Sequence, residues 1–500
     1  MPATTRPPSR RRLPLRIVVP SRNDPFLRRY TEVLGGPLGR HSAPGIVTPG
    51  FFTVERVLIL LTTLAALLSV LAKTPCRAGG WTLPDYFYQG CYSDWPVLFE
   101  SRQLAEGVFP LLTPGSFFEY PVLLGLLAGA TAWLVPGQGA SAERVLAYFD
   151  INAALAAAAW ITAVVATARM GHRRPWDAAM VALAPGIVLA GTINWDLWAV
   201  MLTALGMLAF ARSRPVAAGI FLGLGTAAKA YPLLVFGAII LLALRTGRYR
   251  PLWQATAAAA AAWLAVNLPV MVLNPGGWSQ FLAYSRDRGA GHSSLWYVWN
   301  LAVEQQGLPQ VDATVANEAS LLLFLAACAG IALLALSAPR RPRLASLAFL
   351  IVAAFVLTNK VYSPQFVLWL VPLAALAHPR WRDFLVWQFF EVLHWWAVWM
   401  YLARGTSGGP AEHNLDTPYY VLAVLGHMAA TGYLMARVIR SIRHPEHDVV
   451  RRMDTDDPQG GPFDRAPDRF VLAPRPERRP GRRPAPLPGA GRPPGQQEEP

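Results

Sequence analysis

Apolar residues in this chain run in long blocks, among them Val57 to Ala72, Val145 to Ala168 and Leu344 to Leu357. A helix packed on a soluble core would break such blocks with polar positions at helical period. They read instead as bilayer helices, for which a crossing needs roughly 20 predominantly apolar residues. The spans predicted in this way are 53–72, 145–168, 177–192, 197–211, 216–228, 233–244, 252–273, 318–338, 344–358, 366–377, 384–403 and 418–437. The expected fold is an all-α polytopic membrane protein: a bundle of about 12 transmembrane helices, with a long first extracytoplasmic loop carrying interfacial helices. The segments 216–228 and 233–244 are too short to cross upright. They read as paired helices meeting at Lys229-Ala-Tyr-Pro232, where irregular backbone needs cover from protein or a wet cavity.

Composition agrees with this pattern. Hydrophobic residues make up 53% of the chain and charged ones 15%, against about 25% charged in ordinary soluble domains. Eighteen Trp and fifteen Tyr suit the two interfacial belts of a bilayer. The net charge of +15 raises nucleic-acid binding as a possibility. The arginines, however, sit in short clusters between apolar blocks: Arg169 with Arg173 and Arg174, Arg212 with Arg214, and Arg245 with Arg248 and Arg250. Further clusters are Arg340 with Arg341 and Arg343, Arg380 with Arg382, and the basic segment from Arg437. Such placement is the positive-inside pattern, and it argues against a nucleic-acid partner.

Nine Arg and many Pro in the first fifty residues, with no long apolar run, read as a cytoplasmic, partly disordered leader. The run Val122 to Val135 decides the topology downstream. It has about 14 residues, short of the roughly 20 needed to cross. Laid along the outer interface, it leaves every arginine cluster inside and both termini cytoplasmic. The domain reading is then a leader over 1–50, a catalytic membrane domain over 51–440, and a disordered cytoplasmic Pro/Arg-rich tail over 441–500. Functional volume faces outward, in the loop Lys73 to Arg144, the loop from Asn274 to about Asn317, and a shorter one around Arg404 to Thr417.

Lysine usage narrows the search for chemistry. Only Lys73, Lys229 and Lys360 stand against forty-two arginines, and all three map to outer ends of spans. Lys229 and Lys360 lie in polar turns, where a lipid phosphate is a natural counter-ion and snorkelling to headgroups is the bland alternative. For Lys73, at the simple end of a span, snorkelling is the favoured reading. The first outer loop gathers Asp85, Asp94, Glu100, Glu106 and Glu119, and one such carboxylate is a candidate base for an acceptor hydroxyl. Asp94 precedes an amphipathic stretch, Trp95 to Leu104, expected to hold it at interface depth.

Cys76 and Cys91 share that loop and are candidates for a bracing disulfide; no His accompanies them at ligand spacing, so no metal is expected. Asn194-Trp195-Asp196 puts a carboxylate between two spans, either to orient a hydroxyl or a cation or, the favoured reading, to cap the helix from Leu197. Arg286, Arg288, His292 and Trp296 in the second loop suit a sugar-phosphate headgroup or an ordinary interfacial helix. Glu391 and His394 share a helical face within a span, as a functional pair or a satisfied pair in the bundle. No nucleotide loop or hydrolase elbow occurs in credible context, so the donor must arrive already activated and lipid-borne. No cofactor is expected, though a divalent cation remains compatible with such chemistry.

The order of these features resembles the GT-C glycosyltransferases, specifically the actinobacterial glycosyltransferase family 87. The resemblance rests on a first-loop Asp, then Phe118-Glu119-Tyr120-Pro121 opening a short apolar helix. It continues through the turn Lys229 to Pro232 to Ser363-Pro-Gln365-Phe-Val-Leu-Trp369. It covers about residues 50 to 440, and departs at Leu98, where the family often shows an aromatic, and at Val122, where it has a second proline. The resemblance implies a GT-C-like bundle that takes a sugar, typically mannose, from a polyprenyl monophosphate to a glycan or glycolipid acceptor outside the plasma membrane. It implies Asp94 as base and the turn Lys229 to Pro232 as the donor-phosphate site; Lys360, Arg286 and Arg288 are further candidate phosphate ligands by their charge and placement. Glu119, Tyr120, Asn194, Asp196, Tyr231, Tyr362, Gln365, His292 and Trp296 complete the candidate substrate-binding set. The rival classes are a transporter or flippase of lipid-linked glycans, which predicts internal repeats that the sequence lacks, and a non-catalytic lipid-binding scaffold.

Overall fold

The computed structural model describes residues 17–35, 52–407, 414–452 and 455–472. Most of the leader and the end of the tail lie outside the described residues. Among the described residues every regular element is helical, as the apolar blocks predict. The main helices are α1 (Val54–Leu71), α2 (Asp94–Ser101), α3 (Val122–Trp133), α4 (Ala142–Met170), α5 (Asp196–Ala211), α6 (Pro215–Ala228) and α7 (Val235–Thr246). They continue as α8 (Arg250–Leu273), α9 (Pro275–Asp287), α10 (Leu295–Glu304), α11 (Ala313–Ser337), α12 (Leu344–Thr358), α13 (Val367–Ala377), α14 (Trp381–Thr406) and α15 (Thr417–Arg443).

Length and composition qualify α1, α4, α8, α11 and α15 to cross a membrane; six further apolar helices are shorter. By length and composition the described residues do not confirm the expected count of twelve spans. Segment 177–192 in particular is not one helix. It breaks into Pro175–Ala178, Ala179–Ala182 and Pro185–Ala190, because Pro185 has no N–H to continue the ladder and holds Ala184 extended at ψ 117°. Helix α3, at 12 residues, spans only about 18 Å, too short for a roughly 30 Å hydrocarbon core.

Peripheral and central helices differ as a bilayer protein requires. On α1, Leu60, Leu64, Leu67 and Leu71 are each more than half exposed, while Leu58, Thr62, Ala65 and Ser69 face the bundle. Helices α12 and α13 are buried almost all round, so they form its axis. Close approach of α6 to α8 depends on two glycines four residues apart. A Cβ on Gly219 would meet the Ala255 carbonyl at 2.1 Å, and one on Gly223 the Ala259 carbonyl at 2.3 Å. Backbone contact of this kind replaces the hydrophobic drive that lipid cannot supply.

The bundle alternates in direction, so its two ends differ chemically. Helix α5 runs from Asp196 to Arg212, α6 back from Arg214 to Lys229, and α7 out again towards Arg245. The arginine end is closed by described parts of the chain beyond Arg443. Asp448 pairs with Arg343 at 2.8 Å, Asp456 with Arg340 and Arg341, and Asp468 with Arg245 and Arg341 at 3.0 Å. Phe463 is fully buried with its ring 5.6 Å from that of Phe210, and Asp457 accepts the Leu344 N–H at 2.8 Å at the start of α12. Residues 444–452 and 455–472 are polar enough to read as unstructured. They pack here because the arginines bring charge that their aspartates neutralise.

Candidate active site

Four chain segments converge at the opposite end. The first outer loop reaches the bundle through several ties. Cys76 and Cys91 form the disulfide, with Cα atoms 5.9 Å apart. The Lys73 ammonium donates to the Tyr92 carbonyl at 3.0 Å, and the Ser93 hydroxyl to the Thr192 carbonyl at 2.8 Å. Lys73 therefore does not snorkel: it is 1% exposed, and burial pushes its pKa down to about 7. The Asp94 N–H donates to the Ile193 carbonyl at 2.7 Å, which clips the start of α2 to the turn between Ala190 and α5. Helix α2 itself is buried through Trp95, Leu98 and Phe99, with Phe99 stacked on Tyr148 at 4.4 Å. The stretch packs inward because α4 offers it an aromatic face.

The Tyr120 hydroxyl donates to Asp94, and Tyr92 supplies a second donor. Asn194 bridges outward: its Nδ2 donates to the Tyr120 hydroxyl at 3.2 Å, and its Oδ1 accepts the Asp196 N–H at 3.0 Å. Asp196 does not cap α5. Its Oδ1 lies 2.9 Å from the Lys229 ammonium, a charge contact off the hydrogen-bond axis, and its Oδ2 accepts the Trp369 indole N–H at 3.0 Å. The Lys229 ammonium also sits 4.5 Å from the Tyr120 ring centroid, within cation–π range. Tyr231 stacks on Trp369 at 4.7 Å and closes the group from below.

Exposure divides the cluster by task. Asp94 and Lys229 keep partial access, while Asn194 and Asp196 have none. Even so, enough protein surrounds Asp94 that desolvation raises its pKa, against the opposing pull of the Tyr120 and Tyr92 hydroxyls and the Lys229 charge. A carboxylate so raised is a better proton acceptor near neutrality than an ordinary aspartate. Burial holds Tyr120 well above its usual value, so it stays a donor.

The other sequence candidates are engaged elsewhere. Glu119 forms a bidentate pair with Arg102 at 2.8 and 2.9 Å beside the cluster. The Lys360 ammonium donates to the carbonyls of Arg286 and Arg288 at 2.9 and 2.6 Å, so it braces the second loop. The Arg288 guanidinium lies over Tyr284, the His292 ring meets that of Tyr297 at a tilt with centroids 4.8 Å apart, and the Trp296 indole donates to the Thr358 carbonyl at 3.1 Å. Tyr362 is buried against His427 and Thr431, and Gln365 lies in the short turn Pro364–Phe366. Sequence reasoning missed Tyr92, Trp369 and Asn152, which accepts the Trp195 indole N–H at 2.7 Å. Only Trp369 left a signal, as the last residue of the Ser-Pro-Gln motif.

The helical bundle is that of a polytopic membrane protein, and part of its sequence matches a glycosyltransferase family. The family model of Glycosyltransferase family 87 matches residues 117–358 of the chain. That stretch contains Tyr120, Asn194, Asp196 and Lys229 and begins after Asp94. No curated protein matches the chain. Among solved structures it is similar to the apo oligosaccharyltransferase of Archaeoglobus fulgidus, at 15% identity and a TM-score of 0.36. That similarity covers 76% of this chain and spans 56% of the other.

Proposed function

We propose that this protein is an inverting glycosyltransferase that moves a sugar, mannose by family resemblance, from a polyprenyl-phosphate donor to an extracytoplasmic glycan or glycolipid acceptor. The observation that carries the reading is the pairing of a raised, partly accessible Asp94 with a partly accessible Lys229 across one tyrosine ring. In the reaction Asp94 takes the proton of the acceptor hydroxyl. The acceptor oxygen forms the new bond to the anomeric carbon as the bond to the phosphate oxygen breaks on the opposite face. The polyprenyl phosphate leaves with its charge held by Lys229, and a phosphate leaving group needs charge stabilisation more than protonation. Asp196 and Trp369 fix where that ammonium sits; Asn194 and Tyr120 fix the Asp94 carboxylate.

The side of the membrane follows from the same reading. Lys229 and Asp94 lie at the helix ends opposite the arginine clusters, which supports an extracytoplasmic site over a cytoplasmic arginine end with both termini inside. Transfer of labelled sugar from polyprenyl phosphate, followed in membranes bearing Asp94→Asn, tests the chemistry. Undiminished transfer would remove Asp94 from the base role, and a reporter placed after Val135 that reads as cytoplasmic would overturn the orientation.

A further inference from the structure

Away from that cluster, two helices bury a constellation that the transfer reaction does not use. Glu391 and His394 are three residues apart on α14, so their side chains project from one face. His427 comes from α15, which packs alongside. All three are at most 3% exposed. One ligand atom from each can be chosen so that all lie within 4.8 Å of one another. The two imidazoles stack in parallel with centroids 3.7 Å apart.

The hydrogen-bond pattern around them is asymmetric. Glu391 Oε1 accepts the Trp387 indole N–H at 2.9 Å and the Thr431 hydroxyl at 3.4 Å. Oε2 faces His427 Nδ1 at 3.6 Å, beyond hydrogen-bond range. None of the four ring nitrogens of His394 and His427 has a hydrogen-bond partner among the described residues; the Ser293 backbone approaches His427 without meeting that geometry. A buried imidazole always carries at least one N–H, and leaving donors and acceptors unpaired in a dry interior is costly. Two stacked histidines left this way beside a buried carboxylate have ring nitrogens free to bind a ligand.

We propose that Glu391, His394 and His427 hold one divalent transition-metal ion, zinc by preference, which clamps α14 to α15. Two imidazoles and a carboxylate are the donor set for such ions, and Glu-x-x-His on one helix with a His from its neighbour is a known way to build a site inside a helical bundle. Trp387 and Thr431 orient the carboxylate from outside, as outer-shell groups do in metal sites. Zinc bonds of about 2.0–2.1 Å bring ligand atoms to within roughly 4.2 Å of each other, so binding draws the trio in slightly and turns the stacked rings towards a common point. The ion is structural: Asp94, Lys229 and Asp196 take no part in holding it.

The experiment is metal analysis of the full chain, purified in detergent without chelator and then incubated with zinc chloride and desalted. The expected result is about one zinc per chain, falling to background in His394→Phe and in His427→Phe, which keep an aromatic ring in the stack. A strong chelator should lower the Tm of the wild type and leave both variants unmoved. A folded, monodisperse wild type that retains no zinc overturns the proposal, and so does a His427→Phe protein that retains it in full. Sugar transfer is measured in parallel, so loss of the metal and loss of the proposed chemistry are read separately.

Discussion

The two ends of the bundle bury charge in opposite ways. At the arginine end each buried guanidinium is met on several sides. Arg343 bonds Asp448 and the carbonyls of Leu376 and Ala377, and Arg341 bonds Asp456, Asp468 and the carbonyls of Phe463 and Ala466. At the lysine end the matching is incomplete. Asp94 has two phenolic donors but, among the described residues, no cation within bonding distance, and Lys229 meets Asp196 off axis. A fully matched ion cluster holds elements together and resists change. An under-matched one keeps spare capacity for a ligand's charge and proton, which makes the lysine end the place for chemistry.

That contrast can be broken by experiment, and the largest effect is expected at Asp94. Asp94→Asn should cut sugar transfer by about 10²-fold or more, the usual size of a general-base contribution, with the thermal transition preserved. A comparable fall in transition temperature would mean that Asp94 is a structural group like those at the arginine end. Arg343→Ala should do the reverse. Removing one partner of a buried pair costs about 3–5 kcal/mol, so the protein should unfold earlier in a detergent melt while transfer per folded molecule holds. Lys229→Met should lower both quantities, because it strands buried Asp196. Adding Asp196→Asn should recover much of the melt and none of the transfer.

The pH dependence separates the ends with smaller effects. Asp448 and Asp456 pair with arginines, and their pKa values lie below the ordinary 3.8 although burial, the largest single influence, pushes the other way. Their contribution to stability is complete above that value and is lost as pH falls through it to the lowered ones. Asp94, raised by burial, behaves oppositely: its ionisation in the folded state costs stability as pH rises from 3.8 to the raised value. Transfer should accordingly show an acidic limb centred above 3.8, and that limb should vanish from the residual rate of Asp94→Asn. The smallest effect is expected from Asp457→Asn, which keeps only one of the carboxylate's two backbone N–H partners, Leu344 at the start of α12 and Gln459, at a cost of about 1 kcal/mol.

Much of the candidate site was legible because its residues were anomalous where they stood. Lys229 was rare by type and placed against the charge rule, and Asp94 and Tyr120 belonged to recognisable motifs. Lys360 had the same signature, yet its ammonium binds backbone carbonyls, since a polar turn between apolar helices also satisfies a lysine without any ligand. Asn152 carried no signal at all: it is an ordinary polar residue one face of α4 turns inward to meet Trp195. Asp196 was read as a cap from its neighbours in sequence, and only the approach of Lys229 and Trp369 from other helices gave it a different role.

Apolar blocks, scarce charge and arginine clusters fixed by themselves that this is a multi-helix membrane protein, because burying a backbone in lipid leaves few other solutions. They also showed where the helices turn. Tertiary structure alone decided that the aspartates of 444–452 and 455–472 would pair with the arginines, and which lysine would face an aspartate. Those outcomes depend on pairings between residues far apart in the chain, and local pattern carries no record of which distant charge will supply the partner.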